Sequence, residues 1–318
     1  MLPGSKNKSP CDEQRRLAGR KRHLWRRARM LQAIRLFFVE HDYLEVETPH
    51  LIPAPAPEPH IDAIKAGDFY LHTSPELCMK RLLAAGYPRI FQLTKCFRAG
   101  ERGNLHLPEF LLLEWYRAGL DYRALMEECE ALILSVSRSL GKGEQITYQD
   151  TEIDLRSPWE RMPVRKAFDR YASLPLKTAL EKDCFDQVMV SEIEPNLGVN
   201  RPTFLYDYPA SLAALARLRR DDQRFAERFE IYMAGLEMAN GFSELTDVRE
   251  QRARFERDRR HRHETGKDVY PMPESFLKSL DHMPEAAGIA LGVDRLAMIF
   301  TGMPRIDDVV SFTPEEVG

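Results

Sequence analysis

The chain has 318 residues, 43% of them hydrophobic and 30% charged, enough to bury a substantial core and too polar for a membrane protein. No apolar run approaches the ~20 residues of a membrane span, and no apolar N-terminal segment precedes a small-residue cleavage site, so a soluble, cytoplasmic protein without a membrane partner is expected. The five cysteines, Cys11, Cys78, Cys96, Cys129 and Cys184, are widely spaced without a CxxC pair and suggest neither a disulfide framework nor a zinc site.

The net charge of −3 hides an asymmetry. Residues 1–35 carry eleven Lys and Arg against Asp12 and Glu13, a local +9 that leaves about −12 for the rest. Such an arm suits an acidic partner, nucleic acid or protein, and a solvated basic helix face fits the same pattern. The first 15 or so residues read as disordered. Leu17, Leu24, Ala28, Leu31, Ile34 and Phe38 recur at spacings of three, four and seven, which predicts an amphipathic helix ending near Glu40. The economical division is a basic, partly disordered extension over residues 1–23 and one domain over residues 24–318.

Residues 44–49 read as a short extended segment, because Pro49 disfavours helix at Thr48. A Pro-rich loop follows over 52–60 and a strand over 69–73. Ser74, Pro75 and Glu76 supply a helix N-cap, a first-turn proline and an early carboxylate, opening a helix to about Ala85. Residues 90–98 and 110–117 are expected strands joined by a loop longer than a hairpin needs. Residues 121–200 read as mainly helical. Strands are expected over 204–208 and 230–238, with a turn signal at Asn240-Gly241. A charged helix over 248–263, a small-residue strand over 288–291 and a helix over 294–301 complete the chain. The pattern suggests an α+β fold, an antiparallel sheet flanked by helices.

The sequence lacks both G-x-x-x-x-G-K-[S/T] and G-x-G-x-x-G, so a nucleotide would have to be held differently. The long-loop hairpin offers Arg98 for a phosphate and Phe110 as a face for a purine, with Glu101, Arg102 and His106 between them. A surface ion pair and a core aromatic would look the same. Glu114 and Tyr116, two apart on a strand, share a face suited to an ammonium group, and Trp115 points away. Glu230, Glu237 and Glu244 lie seven apart among apolar neighbours, where burial demands a cation such as magnesium or an amine; exposed strand positions are the alternative. Arg295 sits in the first turn of the last helix, against the helix dipole, a position an anion would favour and an Asp294 salt bridge would also explain.

In this order the segments resemble the three signature motifs of class II aminoacyl-tRNA synthetases: residues 43–49, then Phe97-Arg98 through Glu114-Trp115-Tyr116, then Gly288-Ile-Ala-Leu-Gly292-Val-Asp-Arg295. Ser74-Pro75-Glu76, Pro108-Glu109-Phe110 and Asn240-Gly-Phe-Ser-Glu244-Leu are similar to the lysyl-tRNA synthetase variant, over roughly residues 24–318. Lysyl-tRNA synthetases carry an N-terminal anticodon-binding barrel, for which the stretch before Tyr43 has no room. The chain therefore looks like the truncated paralogues that join a lysine-type amino acid, lysine or (R)-β-lysine, to a lysine of translation elongation factor P. Ala290, where true synthetases have Gly, points the same way.

The resemblance implies ATP and Mg2+ as cofactors, adenylation followed by transfer, and a homodimer built at the first motif. It implies that Arg98 and Arg295 are catalytic and that ATP meets Arg98, Ala99, Gly100, Glu101, His106, Leu107, Phe110, Glu237, Met238, Gly292 and Arg295. Ser74, Pro75, Glu76, Glu114, Tyr116, Asn240, Glu244 and Ala290 would take the amino acid, and Glu230 and Glu237 the metal. Gly100 and Leu107 depart from the family's Glu and Asn, and Glu101 is the candidate substitute. The missing anticodon domain argues against tRNA as acceptor. Transfer to tRNA or another amine, and a non-catalytic amino-acid sensor, are the alternative readings. The basic arm and the arginine cluster at 252–262 are candidate docking surfaces for an acidic acceptor protein.

Overall fold

The computed structural model describes residues 10–317. Helix α1 (Pro10–Glu40) starts earlier than periodicity indicates, so residues 10–15, expected to be disordered, form its first turns; the same expectation for residues 1–9 lies outside the described residues. It passes unbroken through residue 23, the expected domain boundary. The helix stops where Asp42 enters the left-handed region (φ 60°), a conformation Asp tolerates better than most residues. The α-helices that follow are α2 (Glu76–Ala84), α3 (Tyr122–Ser139), α4 (Val164–Tyr171), α5 (Leu176–Glu181), α6 (Phe185–Val188), α7 (Val248–Glu264), α8 (Glu274–Ser279) and α9 (Val293–Thr301). Among the described residues no helix is long and apolar enough to cross a membrane.

The strands are β1 (Leu44–Glu45), β2 (Leu51–Ile52), β3 (Ile64–Ala66), β4 (Phe69–Leu71), β5 (Arg89–Phe97), β6 (Glu109–Ala118), β7 (Gln145–Tyr148), β8 (Thr151–Asp154), β9 (Glu160–Pro163), β10 (Thr203–Pro209), β11 (Phe225–Met233), β12 (Leu236–Ser243) and β13 (Ala286–Gly292). Eight of them form one sheet in the order β1-β5-β6-β13-β12-β11-β10-β9. The fold is α+β, and the expected antiparallel pairing holds from β5 through β10, with one parallel strand added at each edge, β1 on β5 and β9 on β10.

Two expectations need correction. Residues 121–200 are not simply helical: β7, β8 and β9 lie there, each four residues long and too short for alternation to stand out. The expected strand over 230–238 is instead the tip of a hairpin that turns at Ala234-Gly235, both at positive φ (51° and 74°), as a two-residue hairpin turn requires. Asn240-Gly241 lies inside β12. A Cβ on Gly241 would come within 2.6 Å of the Phe229 ring, so close packing between strands, not a turn, explains that glycine.

Alternation along β6 sorts its side chains between two cores. Leu113 and Trp115 enter the core shared with α1, α3 and α9, where Phe38 stacks on Phe91 at 4.6 Å and packs on Trp115 at 5.2 Å. Each such buried aromatic contributes roughly 1.5–3 kcal/mol. Tyr116 faces the other way, into a core with α2 and α8, and Glu114 shares its face.

Much of the charge expected to meet partners is used internally. Arg16 and Arg20 pair with Glu316, and Arg27 pairs with Asp294, tying α1 to the C-terminal segment. On α7, Arg252 pairs with Glu274, Arg254 donates to the carbonyls of Ala214 and Ala216, and Arg259 donates to that of Tyr270. Arg262, wholly buried, donates to the carbonyls of Glu58, Ile61 and Asp268, and to Asp62 and the Tyr270 hydroxyl.

Candidate active site

The sheet face carrying Glu114 and Tyr116 floors a cavity of about 390 Å³. Its walls come from the 98–108 loop, the start of α2, β11 to β13, the first turn of α9 and the Pro-rich loop before β3.

One end gathers cations. Arg98 lies at the mouth of the β5–β6 loop, with its guanidinium 4.9 Å over the Phe110 ring and 3.7 Å from Glu101. Its Nε is buried without a partner, an unsatisfied donor aimed at nothing in the chain itself. Arg295 does not pair with Asp294, whose carboxylate is taken by Arg27 and by the Leu111 N–H. It reaches instead to the Glu237 carbonyl at 2.6 Å, the Glu237 carboxylate at 3.4 Å and His106 Nε2. Burial and the Arg295 charge hold the His106 imidazole below its usual pKa, so it is neutral near pH 7. Two guanidiniums and an imidazole facing one space make an anion site with planar, bidentate donors.

The opposite end gathers carboxylates. Glu114, 1% exposed, accepts from Ser74 Oγ at 2.6 Å and from the Tyr116 hydroxyl at 2.7 Å. Behind the floor, Lys80 Nζ lies 2.5 Å from both Glu76 and Glu244. Burial opposes the Lys80 charge, but those two carboxylates outweigh it and hold its pKa above normal. Apart from Lys80, neither Glu244 oxygen has a donor. Burial, and then Glu76, push the Glu114 carboxyl up to about 8, and burial also raises Glu244. Three carboxylates against one ammonium is a deficit that a cationic ligand corrects.

Gly288 makes that end possible, because a Cβ there would lie 2.2 Å from the Tyr116 ring and 2.6 Å from Glu244 Oε1. Ala290 sits in register between Glu114 and Asn240, so its methyl shapes the floor midway along the cavity. Asn240 is held by Arg228, which donates to its Oδ1 at 3.0 Å and to Glu230 at 2.8 Å.

Glu230 accepts from Tyr208 at 2.6 Å and Tyr232 at 2.7 Å as well as from Arg228, and burial, then Glu237, raises its pKa. Glu194, pushed up to about 7 by burial and then by Glu230 and Glu237, lies beside them. Among the described residues no group of three or more acidic, His or Cys side chains forms a closed metal cage. The Glu230–Glu237 donor set suits a hard divalent cation that keeps waters and shares a ligand's phosphate oxygens, the habit of magnesium.

Most expected site residues line this one cavity: Ser74, Glu76, Arg98, Glu101, His106, Leu107, Phe110, Glu114, Tyr116, Glu230, Glu237, Met238, Asn240, Ala290, Gly292 and Arg295. Pro75, Ala99, Gly100 and Glu244 are not on its wall. Gly100 turns the loop at φ 77°, which favours glycine and presents Glu101 to the cavity instead. Glu244 stands one layer back, behind Gly288. Glu58, Ile61 and Arg228 line the wall and were not anticipated. Arg228 had a readable signal, an Arg two residues from Glu230 on a strand and so on the same face.

The raised Glu114 pKa has a sign. A carboxyl with folded pKa about 8 and unfolded pKa about 4.3 stabilises fully below pH 4 and loses that contribution as pH rises to 8. Glu114→Gln lacks this loss, so its melting temperature relative to the parent should climb steadily between pH 5 and pH 8 in scanning fluorimetry. A constant offset across that range would contradict the assignment.

The sequence matches the family of class II tRNA synthetases (D, K and N) over residues 14–316. It is 41% identical over 307 residues to an elongation factor P–(R)-beta-lysine ligase of Proteus mirabilis, covering 91% of this chain and 94% of that protein. A protein of the same name from Vibrio cholerae is 42% identical, again with 91% of this chain and 94% of the relative covered. One from Salmonella arizonae is 40% identical over 309 residues, 92% of this chain and 94% of the relative.

Proposed function

The chain belongs to the class II tRNA synthetase family (D, K and N), and on that premise we propose that it activates (R)-β-lysine as an adenylate and transfers it to a lysine of elongation factor P. The relatives' names support the substrate and acceptor. The observation that carries the reading is the charge layout of one cavity, with cations at one end and a carboxylate-rich, closed pocket at the other. A diamino acid places its distal ammonium against Glu114 and the Tyr116 hydroxyl, with the Glu244 charge one layer behind. Its carboxylate then points toward Arg98.

Two steps follow. The amino-acid carboxylate attacks the α-phosphorus of ATP in line, forming the acyl-phosphate bond as pyrophosphate leaves, and no protein nucleophile is needed. Arg98 holds the α-phosphate and the attacking carboxylate together, and Arg295 spans the nucleotide and Glu237, so catalysis comes from alignment and from donors set where charge grows. Neutral His106 donates to the outer phosphates. The purine stacks on the Phe110 face by displacing or sliding over the Arg98 guanidinium that covers it. Magnesium held by Glu230 and Glu237 would neutralise phosphate charge when bound. In the second step the unprotonated ε-amine of the acceptor lysine attacks the adenylate carbonyl, an amide forms and AMP departs.

Mass spectrometry of elongation factor P incubated with this protein, ATP and (R)-β-lysine tests the transfer. One added lysyl unit on a single lysine is the expected result. An unmodified factor, with AMP still formed, would assign the acceptor elsewhere.

A further inference from the structure

The cavity wall carries seven acidic side chains, and six are already engaged. Glu76 pairs with Lys80, Glu101 with Arg98, Glu237 with Arg295 and Asp294 with Arg27. Glu114 accepts from Ser74 and Tyr116, and Glu230 from Arg228 and two tyrosines. The seventh, Glu58, is half-buried, lines the cavity, and receives no hydrogen bond or ion pair from any described residue.

Its backbone, by contrast, is firmly held. The wholly buried Arg262 donates from Nη1 to the carbonyls of Glu58 at 2.7 Å and Ile61 at 3.1 Å, while its Nη2 binds Asp62 and Tyr270. The Asp62 carbonyl in turn takes the Ala99 N–H at 2.7 Å, fastening this loop to the one that carries Arg98. A proline-rich loop pinned by a buried guanidinium presents Glu58 at a fixed place, as a recognition contact requires. Burial, and then the Glu76 charge, push the Glu58 carboxyl up to about 7, against the pull of Arg98 and Arg228.

We propose that Glu58 is a specificity-determining contact that receives the amine nearest the substrate's carboxylate, so that the ligand class is an amino acid with one amine at each end of the cavity. Glu76, the charge that acts on Glu58 most strongly, is already held by Lys80, which leaves Glu58 as the carboxylate free to answer a second ammonium. The rival role is electrostatic balance for Arg98 and Arg228, whose charges act on its carboxyl. The two roles differ in what they alter: the first affects only substrates with a proximal amine, the second affects ATP. This inference rests on the activation reading above.

The test compares Glu58→Gln with the parent in ATP–pyrophosphate exchange, using (R)-β-lysine and 6-aminohexanoate, which keeps the distal amine and the carboxylate but lacks the proximal amine. A charge-assisted hydrogen bond lost to a neutral amide should raise the KM for (R)-β-lysine by about 10-fold or more. The KM for ATP should stay within about 2-fold, and 6-aminohexanoate should not distinguish the proteins. An unchanged KM for (R)-β-lysine, or an equal change for both amino acids or for ATP, would overturn the proposal. Calorimetric titration of (R)-β-lysine into both proteins without ATP keeps the two readings apart. Parent binding that weakens about 10-fold in the variant sustains the Glu58 role even if exchange is silent and the activation reading fails. Binding that is absent in the parent, or equal in both proteins, overturns the Glu58 role.

Discussion

Arg98→Ala is expected to lower kcat for ATP–pyrophosphate exchange by about 10²- to 10³-fold, the scale of removing one charge-stabilising donor from a preorganised site. The expectation follows from what Arg98 does without ligand. It has one long contact to Glu101 at 3.7 Å, a ring face under it and a buried Nε with no partner. A side chain so lightly used by the fold contributes little to stability, so the variant's melting temperature should stay close to that of the parent while turnover collapses. Arg98→Lys should recover only part of the rate, since an ammonium cannot hold phosphate and carboxylate in one plane. A loss of less than about 5-fold in the alanine variant would remove Arg98 from the chemistry.

Lys80→Met should be the most damaging single change to stability. Lys80 is 1% exposed and is the cation between Glu76 and Glu244, each 2.5 Å away. Removing one member of a buried ionic group leaves uncompensated charge and typically costs about 3–5 kcal/mol. Urea unfolding at pH 9 should show that loss. The penalty should shrink near pH 6, where the Glu244 carboxyl, pushed up to about 8 by burial, holds a proton and needs no partner. The double variant Lys80→Met, Glu244→Gln should be more stable than Lys80→Met alone, because it removes a stranded charge with its partner. Equal loss at both pH values would show that packing, not charge, is what Lys80 supplies.

These two residues differ in how visible they are from sequence. Arg98 can be read from its place between two strands and from the motif around it. Lys80 cannot: it is one of two adjacent basic residues on an ordinary-looking helix, and its role depends on Glu244 arriving from just past the end of β12, some 160 residues later. Glu114 and Tyr116 are legible because a strand's side chains alternate, and β13 meets β6 in the register that sets Gly288 against Tyr116. The 230–244 hairpin misleads because Asn240-Gly241 is a stronger turn signal than Ala234-Gly235, and only the partner strand reveals that Phe229 needs the space above Gly241. Glu58 escapes notice because a Pro-rich loop has no period, and the anchor that fixes it, Arg262, lies 204 residues away on a helix whose composition suggests a solvated face. The basic arm teaches the same lesson, since charge counts do not reveal that Arg16, Arg20 and Arg27 are committed to Glu316 and Asp294.

The central claim is that one cavity brings a diamino acid's carboxylate to the α-phosphate of ATP. ATP–pyrophosphate exchange with a panel of amino acids tests it most directly, comparing (R)-β-lysine, α-lysine, ornithine and 6-aminohexanoate with leucine and glutamate. Exchange that depends on a distal amine, strongest with a lysine-type substrate and absent with leucine and glutamate, is the predicted result. No exchange with any diamino acid, in the presence of magnesium and ATP, would contradict activation and leave the cavity as a sensor of amino acids.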